Sequence, residues 1–345
     1  MNPEIHQPIV SIIIPCYNEE LFLENCIDSI LKNDYPKDKI EILIIDGLST
    51  DTTKKIAERI INENKTIAIK LITNLSKTFP CAVNLGYNNS IGDFIVILGA
   101  HAVYNNSYIS LCIENSLLYN ADNIGGVLHT IGLNKSITGK LITNVLSSSF
   151  GVGNATFRTG TDKVTEVDTV FGGCYKRSVF EKIGLFNENL RSTSDMDFNV
   201  RLKKSGGKII LVPSIIVTYY TRNNFMKFIK NNFRNGFWAI YPLRFVDYLP
   251  VSFRHLVPLF FMLGIVGGSI VSLFSCTLFL IFQAVLIIYF ISAIYFSFSF
   301  IKKGIINIFL MPWLFLVLHV TYGSGSWWAV LNVLYFKVIR IFKSN

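Results

Sequence analysis

The sequence predicts an α/β domain followed by a helical membrane region, and two observations support this. Over the first hundred residues, apolar runs rich in Ile and Val alternate with amphipathic helical patterns, which is typical of a parallel sheet with crossover helices. Later, residues 256–301 form a run of 46 without a charged residue. One helical crossing of a bilayer needs about 20 residues, so this run is long enough for two membrane spans.

The predicted sheet begins with four strands in regular alternation with helices. We expect strands at 9–14, 40–45, 67–72 and 94–98, with helices around 23–31, 56–61 and 80–90. Polar side chains stand just after three of these strands, namely Glu19, Asp46 and His101. Because open α/β sheets bind ligands beyond the carboxyl ends of their strands, these three side chains are candidates for one site. Asp51, before Thr52 and Thr53, is expected to cap the second helix instead.

Common phosphate-binding glycine motifs are missing from the strand–helix junctions. Neither GxGxxG nor GxxxxGK[ST] occurs there, which disfavours a dinucleotide or P-loop site. Carboxylates take their place, and carboxylates at strand tips can accept hydrogen bonds from a base N–H or from ribose hydroxyls.

The second half of the domain is less regular. We expect strands at 125–130, 165–171 and 208–212, a turn at 171–173, and a helix at 177–183. Another helix should begin near Ser194 with Asp195 and Asp197 in its first turn. The two acids can simply interact favourably with the helix dipole, or one of them can serve as a general base. They diverge by about 200° around the helix, so they cannot share one role.

Positive charge is concentrated next to the apolar run. Residues 201–255 carry a net +9 and the following residues +5, whereas the first 200 carry −5. Positive residues beside a span hold that side in the cytoplasm and attract anionic headgroups. We therefore expect a membrane and lipid-linked phosphate as partners, and not nucleic acid. The basic aromatic helix predicted at 223–238 can lie in the membrane interface or pack as a core helix.

The membrane region is expected to span residues 246–345, after a cytosolic domain of residues 1–245. It should contain a hairpin at about 256–300 that turns near Ser275 and Thr277, then apolar segments at 305–321 and 327–342. The stretch Tyr322-Gly-Ser-Gly-Ser should break the last two segments apart. Either both cross the membrane, or the final one lies in the cytoplasmic interface.

Cysteine usage and the N-terminus point to the cytosol for the α/β domain. The six cysteines are scattered without a CxxC pair, which suits a reducing compartment and argues against a disulfide framework or a structural zinc site. The first ten residues have neither a basic nor an apolar signal region.

Taken together, these motifs resemble family 2 inverting glycosyltransferases of GT-A fold. The similarity is closer to the membrane-attached subgroup that includes succinoglycan-type exopolysaccharide glycosyltransferases. The matching stretches are PCYNEE from Pro15, IDGLSTDTT from Ile45, GAHA from Gly99, FGVGNATFR from Phe150, and HVTYGSG from His319. Together they cover nearly the whole chain, with a donor half at about 1–104 and an acceptor half at about 105–245.

The resemblance implies roles for individual residues. Asp195 would be the general base that takes the proton from the acceptor hydroxyl, kept ionised by the helix dipole. His101 would bind a divalent metal, Mn²⁺ or Mg²⁺. The nucleotide-sugar would be held by Pro15, Tyr17, Glu19, Asp46, Asn84 and Ala100, and the acceptor side would be lined by Asp197, Arg201, Arg234 and Trp238.

Two positions depart from the family pattern. Gly99 replaces the first acid of the usual Asp-x-Asp or Asp-Ala-His, and Ser194 replaces the Glu that precedes the base. The change at Gly99 removes a group that would hold the metal or the ribose. Without a metal, Arg201, Arg234 or Lys203 would have to neutralise the departing diphosphate.

The resemblance implies a multi-pass enzyme of the inner or plasma membrane with a cytoplasmic catalytic domain. It would move a sugar from a nucleotide-sugar, expected to be a UDP-sugar, to a lipid-linked glycan in cell-surface polysaccharide biosynthesis, alongside other polysaccharide-assembly proteins. Two alternatives remain at this point. The enzyme could load the sugar directly onto a polyprenyl phosphate, or the chain could be a catalytically inactive, nucleotide-binding subunit of a polysaccharide synthase.

Overall fold

Nine strands form one mixed sheet in the computed structural model, which describes residues 7–133, 136–221 and 224–344. The strands are β1 (Val10–Cys16), β2 (Ile40–Asp46), β3 (Ala68–Thr73), β4 (Phe94–Ile97), β5 (Ala102–Tyr104), β6 (Asn123–Gly132), β7 (Thr165–Glu166), β8 (Phe171–Lys176) and β9 (Ile209–Thr221). Their order is β3-β2-β1-β4-β8-β6-β9-β5, with β7 paired to β9.

The helices of the described residues follow in chain order. They are α1 (Leu23–Leu31), α2 (Thr53–Glu63), α3 (Phe79–Asn88), α4 (Tyr108–Leu118), α5 (Ile137–Leu146), α6 (Ser149–Val152), α7 (Thr156–Thr159), α8 (Arg177–Ile183), α9 (Ser194–Lys204), α10 (Phe225–Ile240), α11 (Val257–Val271), α12 (Cys276–Phe298) and α13 (Ile306–Ser344). The chain forms two compact units, described here by residues 7–129 with 160–220, and by 130–133, 136–159, 221 and 224–344. The division at residue 245 that the sequence suggests remains a prediction.

The parallel half of the sheet confirms the expected strand–helix alternation. β1 pairs in parallel with both β2 and β4, and β2 pairs in parallel with β3. Every residue of β2 and β4 is buried, as the apolar runs indicated. The carboxyl ends of β1, β2 and β4 therefore lie side by side at one edge, where the polar loops follow.

The antiparallel half differs from the sequence prediction in two places. The predicted strand 165–171 is confirmed only at Thr165–Glu166, which form β7, and the predicted turn 171–173 is wrong, because β8 begins at Phe171 and continues through both glycines. Gly172 and Gly173 have φ angles of +78° and +48°, and the register between β6 and β8 shifts opposite them. Two glycines thus allow a bulge where a turn was expected. β9 also runs well past the predicted 208–212, to Thr221. Pro213 does not end the strand, because it lies between the stretch that pairs with β7 and the stretch that pairs with β5.

Three helices of the described residues are long and apolar enough to cross a membrane: Phe253–Val271, Cys276–Phe298 and Ile306–Ile339. The first two form the predicted hairpin, and α12 begins directly after Ser275. The predicted break at Tyr322-Gly-Ser-Gly-Ser is wrong, because α13 passes through it without interruption. The amphipathic helix α10 ends at Ile240, and residue 223, the predicted start, lies outside the described residues.

Close backbone contacts explain why the glycines do not break α13. A Cβ on Gly325 would collide with the carbonyl oxygen of Phe233 in α10, and a Cβ on Gly323 with that of Pro258 in α11. Reciprocally, a Cβ on Gly236 in α10 would collide with the carbonyl oxygen of Tyr322. Small residues that let backbones meet are a common basis of helix packing in membranes. Tertiary packing thus outweighs the low helix propensity of glycine.

Candidate active site

Two polar loops at the carboxyl edge of the sheet hold each other in place. Asn18 Oδ1 accepts the backbone N–H of Thr50 at 2.8 Å, and Glu20 Oε2 accepts the backbone N–H of Thr52 at 3.1 Å. In the other direction, the Asn18 N–H donates to Ser49 Oγ at 3.0 Å. The loop after β1 and the loop after β2 are therefore one hydrogen-bonded structure. Tyr17 projects from it with half of its surface exposed, next to the partly buried Pro15.

Asp46 and Asp51 shape the loop after β2. Both Asp46 carboxylate oxygens lie within 3.3 Å of the Ser49 N–H, and the residue is only 3% exposed. The expected ligand contact for Asp46 therefore has little solvent-facing surface to act through, and its carboxylate instead holds the turn. Asp51 accepts the Thr53 N–H at 3.0 Å, so its carboxylate satisfies a backbone donor at the start of α2, as expected, although Thr52 occupies the N-cap position.

His101 lies between a carboxylate and a phenol. Its Nδ1 is 3.2 Å from Glu19 Oε1, and its Nε2 is 3.0 Å from the hydroxyl of Tyr219. Antiparallel pairing of β5 with β9, in which Ala102 is opposite Tyr219, brings the phenol there. The sequence analysis missed Tyr219, because strand pairing between residues so far apart in the chain leaves no local signal. Ala100, directly before His101, is buried and contributes only backbone to the site's surface.

This edge of the sheet is electronegative. Burial raises the pKa of the Cys16 thiol, and the negative charges of Asp46 and Glu19 raise it further. Both carboxylates affect the pKa of this thiol because they lie close to the end of β1. An anionic ligand would therefore need positive charge to be supplied with it in order to bind at this edge.

Glu19 and His101 fit a divalent metal only as a partial site. The described residues contain no group of three or more His, Cys, Asp or Glu that could hold an ion by itself. An imidazole and a carboxylate in contact, both partly accessible, are nevertheless donor types that suit Mn²⁺. Gly99 adds no ligand, and a Cβ there would lie 3.3 Å from the ring of Phe171. Diphosphate oxygens and water would have to complete the coordination.

Asn84 is used within the protein. Its Nδ2 donates to the Phe186 carbonyl and to Glu188 Oε1, both at 2.9 Å, and its Oδ1 accepts the Phe186 N–H at 2.9 Å. The side chain is 5% exposed. The expected contact with ribose or diphosphate would require these bonds to break, so the structure gives Asn84 a different task, which is to fix the segment that follows α8.

Asp195 lies in the first turn of α9 and keeps solvent-accessible surface. Protein atoms nevertheless surround it closely, and this loss of hydration raises the pKa of its carboxyl, although backbone N–H groups of Asp195 and Met196 lower it in part. The backbone donors at the helix start therefore offset the effect of burial only in part. Burial and then the charge of Asp195 raise the pKa of Tyr175, whose hydroxyl donates to Asn199 at 3.1 Å. An accessible carboxylate with a raised pKa is a better proton acceptor than an ordinary aspartate.

Asp197 and Arg201 form a buried structural pair. Arg201 Nε donates to Asp197 Oδ2 at 3.0 Å, and the guanidinium also donates to the carbonyls of Ile183 at 2.6 Å and Leu185 at 2.8 Å. Asp197 has no exposed surface. The expected place of both residues on the acceptor side is therefore not supported by their contacts, and the guanidinium already has partners in place of a diphosphate. Lys203 is bonded to Glu166 at 3.1 Å.

Arg234 and Trp238 belong to the second unit, on α10. Arg234 is exposed and Trp238 is partly buried. The face of α10 that carries Phe228, Asn232 and Gly236 is buried. Charge on the opposite face fits the interfacial helix predicted from sequence.

Comparison with known proteins agrees with the fold. Residues 11–184 match the family model for glycosyl transferase family 2. The chain belongs to this family and is a glycosyltransferase, with the GT-A fold that the sequence motifs predicted.

Individual relatives share most of the chain. It is 32% identical over 232 residues to a dolichyl N-acetyl-alpha-D-glucosaminyl phosphate 3-beta-D-2,3-diacetamido-2,3-dideoxy-beta-D-glucuronosyltransferase of Methanococcus voltae, over 66% of this chain and 71% of that protein. It is 26% identical to succinoglycan biosynthesis protein ExoA of Rhizobium meliloti, over 61% of this chain and 63% of that protein. A mannosyltransferase from Pyrobaculum calidifontis, solved with GDP-Man and Mn²⁺, has a TM-score of 0.65 at 16% identity and covers 94% of this chain and 88% of its own, which shows the shared fold.

Proposed function

We propose that the protein is a membrane-bound, inverting glycosyltransferase that moves a sugar from a UDP-sugar to a lipid-linked glycan during cell-surface polysaccharide biosynthesis. The observation that carries this proposal is that one chain contains both a family 2 domain and three helices long enough to cross a membrane. The names of two relatives support it, one with a dolichyl-phosphate-linked substrate and one in succinoglycan biosynthesis.

The donor binds at the carboxyl edge of the sheet in this proposal. The exposed ring of Tyr17 stacks on the base, beside Pro15, and the peptide of Ala100 contacts the sugar nucleotide. Asp46 contributes by holding the loop that carries these contacts. Glu19 and His101 would hold a divalent ion, which would supply Lewis-acid neutralisation of the leaving group.

Asp195 accepts the proton in the transfer step. The acceptor hydroxyl oxygen attacks the anomeric carbon, the bond from that carbon to the diphosphate breaks, and the hydroxyl proton goes to the Asp195 carboxylate. One displacement of this kind inverts the anomeric configuration. The raised pKa of Asp195 suits this role, because its carboxylate holds a proton more readily than an ordinary aspartate does.

The second unit presents the acceptor. Arg234 and Trp238 on α10 contact the lipid-linked glycan in this proposal, since an exposed cation and an aromatic ring are suited to phosphate and sugar. Lys302 and Lys303 follow the second of the two apolar helices α11 and α12, so they lie on the same side of the membrane as the basic residues of 201–255 when both helices cross. By the positive-inside rule this shared side, which carries the catalytic domain, is the cytoplasmic one.

The test is turnover by full-length protein reconstituted in bilayers. UDP- and GDP-sugars are supplied with either a lipid-linked glycan or a plain polyprenyl phosphate, with and without Mn²⁺. Transfer from a UDP-sugar to the lipid-linked glycan alone supports the proposal. Transfer to plain polyprenyl phosphate would replace it with the polyprenyl-phosphate alternative, and nucleotide binding without any transfer would replace it with an inactive subunit.

A further inference from the structure

A pocket that the proposed chemistry does not use lies in the second unit. It has a volume of about 680 Å³ and is formed by residues 243–247 together with the last turns of α13. Phe245, Val333 and Phe336 give it apolar walls, and three charged side chains line it as well, Arg244, Lys337 and Asp247. All three charged residues are exposed, so the pocket is apolar inside and charged where it meets solvent.

The pocket sits where α13 changes from apolar to basic. Residues 306–336 contain no Asp, Glu, Lys or Arg, and Lys337 is the first charged residue after them. In a helix that crosses a bilayer, the first lysine after the apolar run marks the level of the headgroups. The pocket therefore places a cation beside apolar walls, which is the combination that a lipid phosphate and its chain require.

Arg244 is held in place on the pocket wall. Its guanidinium carbon lies 3.6 Å from the centre of the Phe336 ring, and Nη1 donates to the Tyr241 hydroxyl at 2.6 Å. A guanidinium fixed in this way keeps further N–H donors in a planar fork that matches phosphate oxygens. Lys337 adds a second cation, and two cations outnumber the single carboxylate of Asp247.

We propose that this pocket binds the phosphate of the lipid carrier, with Arg244 and Lys337 on the phosphate and the first apolar units of the chain along Phe245, Val333 and Phe336. The inference rests on the proposed function, which supplies a lipid-linked acceptor. Bilayer phospholipids share the same phosphate chemistry. A concave apolar site selects a chain that enters it, whereas bulk anionic headgroups need only surface charge.

The experiment measures binding without turnover. Full-length protein in phosphatidylcholine nanodiscs is titrated with a fluorescent polyprenyl monophosphate in the absence of donor, and the uncharged polyprenol serves as the reference ligand. Arg244→Gln and Lys337→Gln are each expected to weaken polyprenyl phosphate binding about tenfold, the loss of one charge-assisted contact. Asp247→Asn should leave binding unchanged or strengthen it. Lys303→Gln is the matched control, since Lys303 also lies over an aromatic ring, that of Phe300, at 5.2 Å.

Three results would overturn the proposal: unchanged binding in both Gln variants, equal binding of polyprenol, or full displacement by an equimolar amount of phosphatidylglycerol. Thermal melting of Lys337→Gln, an exposed position, shows whether a loss of binding comes from misfolding. Because donor is absent, a protein that binds through Arg244 yet transfers no sugar would support the pocket while refuting the proposed function. An active enzyme whose variants bind normally would refute the pocket alone.

Discussion

Nδ1 of His101 lies 3.2 Å from Oε1 of Glu19, and this contact joins the loop after β1 to the turn after β4. An imidazole and a carboxylate at this distance are both ligand types that a divalent ion accepts. The site's ability to hold an ion depends on both partners, because Gly99 offers no third ligand from the chain.

We therefore expect Mn²⁺ to bind much more tightly in the presence of UDP than in its absence. His101→Ala should abolish this binding, and Tyr219→Phe, which removes the hydroxyl bonded to Nε2, should weaken it about tenfold. Titration calorimetry with UDP present measures both effects. His129→Ala, at an exposed position on β6, is the control. Normal Mn²⁺ affinity in the His101 variant would refute the assignment.

Asp195→Asn should lower the rate of transfer about 100- to 10,000-fold, the usual contribution of a general base, while UDP binding is retained. For the unchanged enzyme, the rate should fall with decreasing pH at a higher pH than an ordinary aspartate would give, because burial raises the pKa of Asp195. Asp38→Asn, an exposed aspartate, is the matched control. A variant at position 195 that keeps full activity would exclude the base role.

The same variant should be more stable than the unchanged protein at neutral pH. A raised pKa in the folded state means that the ionised carboxylate is disfavoured there, so it costs stability above that pKa. Asn carries no such charge. The melting temperature of Asp195→Asn should therefore be higher at pH 7, and the difference should shrink as the pH falls from the raised folded-state pKa of Asp195 towards the ordinary aspartate pKa. A lower melting temperature at pH 7 would contradict the sign of the shift.

Arg201→Ala should destabilise the catalytic domain by about 3–5 kcal/mol, because it removes the ion pair of the fully buried carboxylate of Asp197. Lys203→Ala removes an exposed pair with Glu166 and should cost about 1 kcal/mol or less. Thermal melting of the two variants side by side measures the contrast. Equal stability would show that the Arg201 pair contributes nothing, and a specific rise in acceptor KM at normal stability would restore Arg201 to the acceptor side.

Gly325→Ala should destabilise the membrane helices by about 1–3 kcal/mol, since its methyl group would collide with the Phe233 carbonyl. Gly267→Ala in α11 is the control, because a Cβ there would meet nothing within 4 Å. In a helix interior, that exchange should be neutral or stabilising. The fraction of each variant that stays monodisperse on heating in detergent measures the difference. A Gly325 variant as robust as the Gly267 variant would show that the helices can separate without cost.

Local patterns predicted what depends on local chemistry. The apolar runs located β1, β2 and β4, and their order placed Glu19 and His101 at one edge of the sheet. Pairings between segments that are distant in the chain could not be predicted from the sequence. Neither the contact of Tyr219 with His101 nor the bonds of Asn84 to Phe186 leave a periodic signal in the chain.

Tertiary contacts also reversed two local inferences. A Gly-Ser-Gly-Ser stretch normally interrupts a helix, yet α13 continues because neighbouring backbones occupy the space that side chains would need. An acid at a helix start is normally more acidic, yet the pKa of Asp195 is raised because burial outweighs the backbone donors. In both cases the missing information was what packs around the residue.

The contacts of Gly236, Gly323 and Gly325 also bear on how this sequence can change through evolution. For each of these glycines, the atom nearest to an added Cβ would be a main-chain carbonyl oxygen of a neighbouring helix. A larger residue in a core can often be accommodated when a facing side chain becomes smaller, but a carbonyl group cannot be trimmed by mutation. Selection for second-site suppressors of a bulky substitution at these three positions should therefore recover reversion to glycine and no compensating exchange at the facing residue.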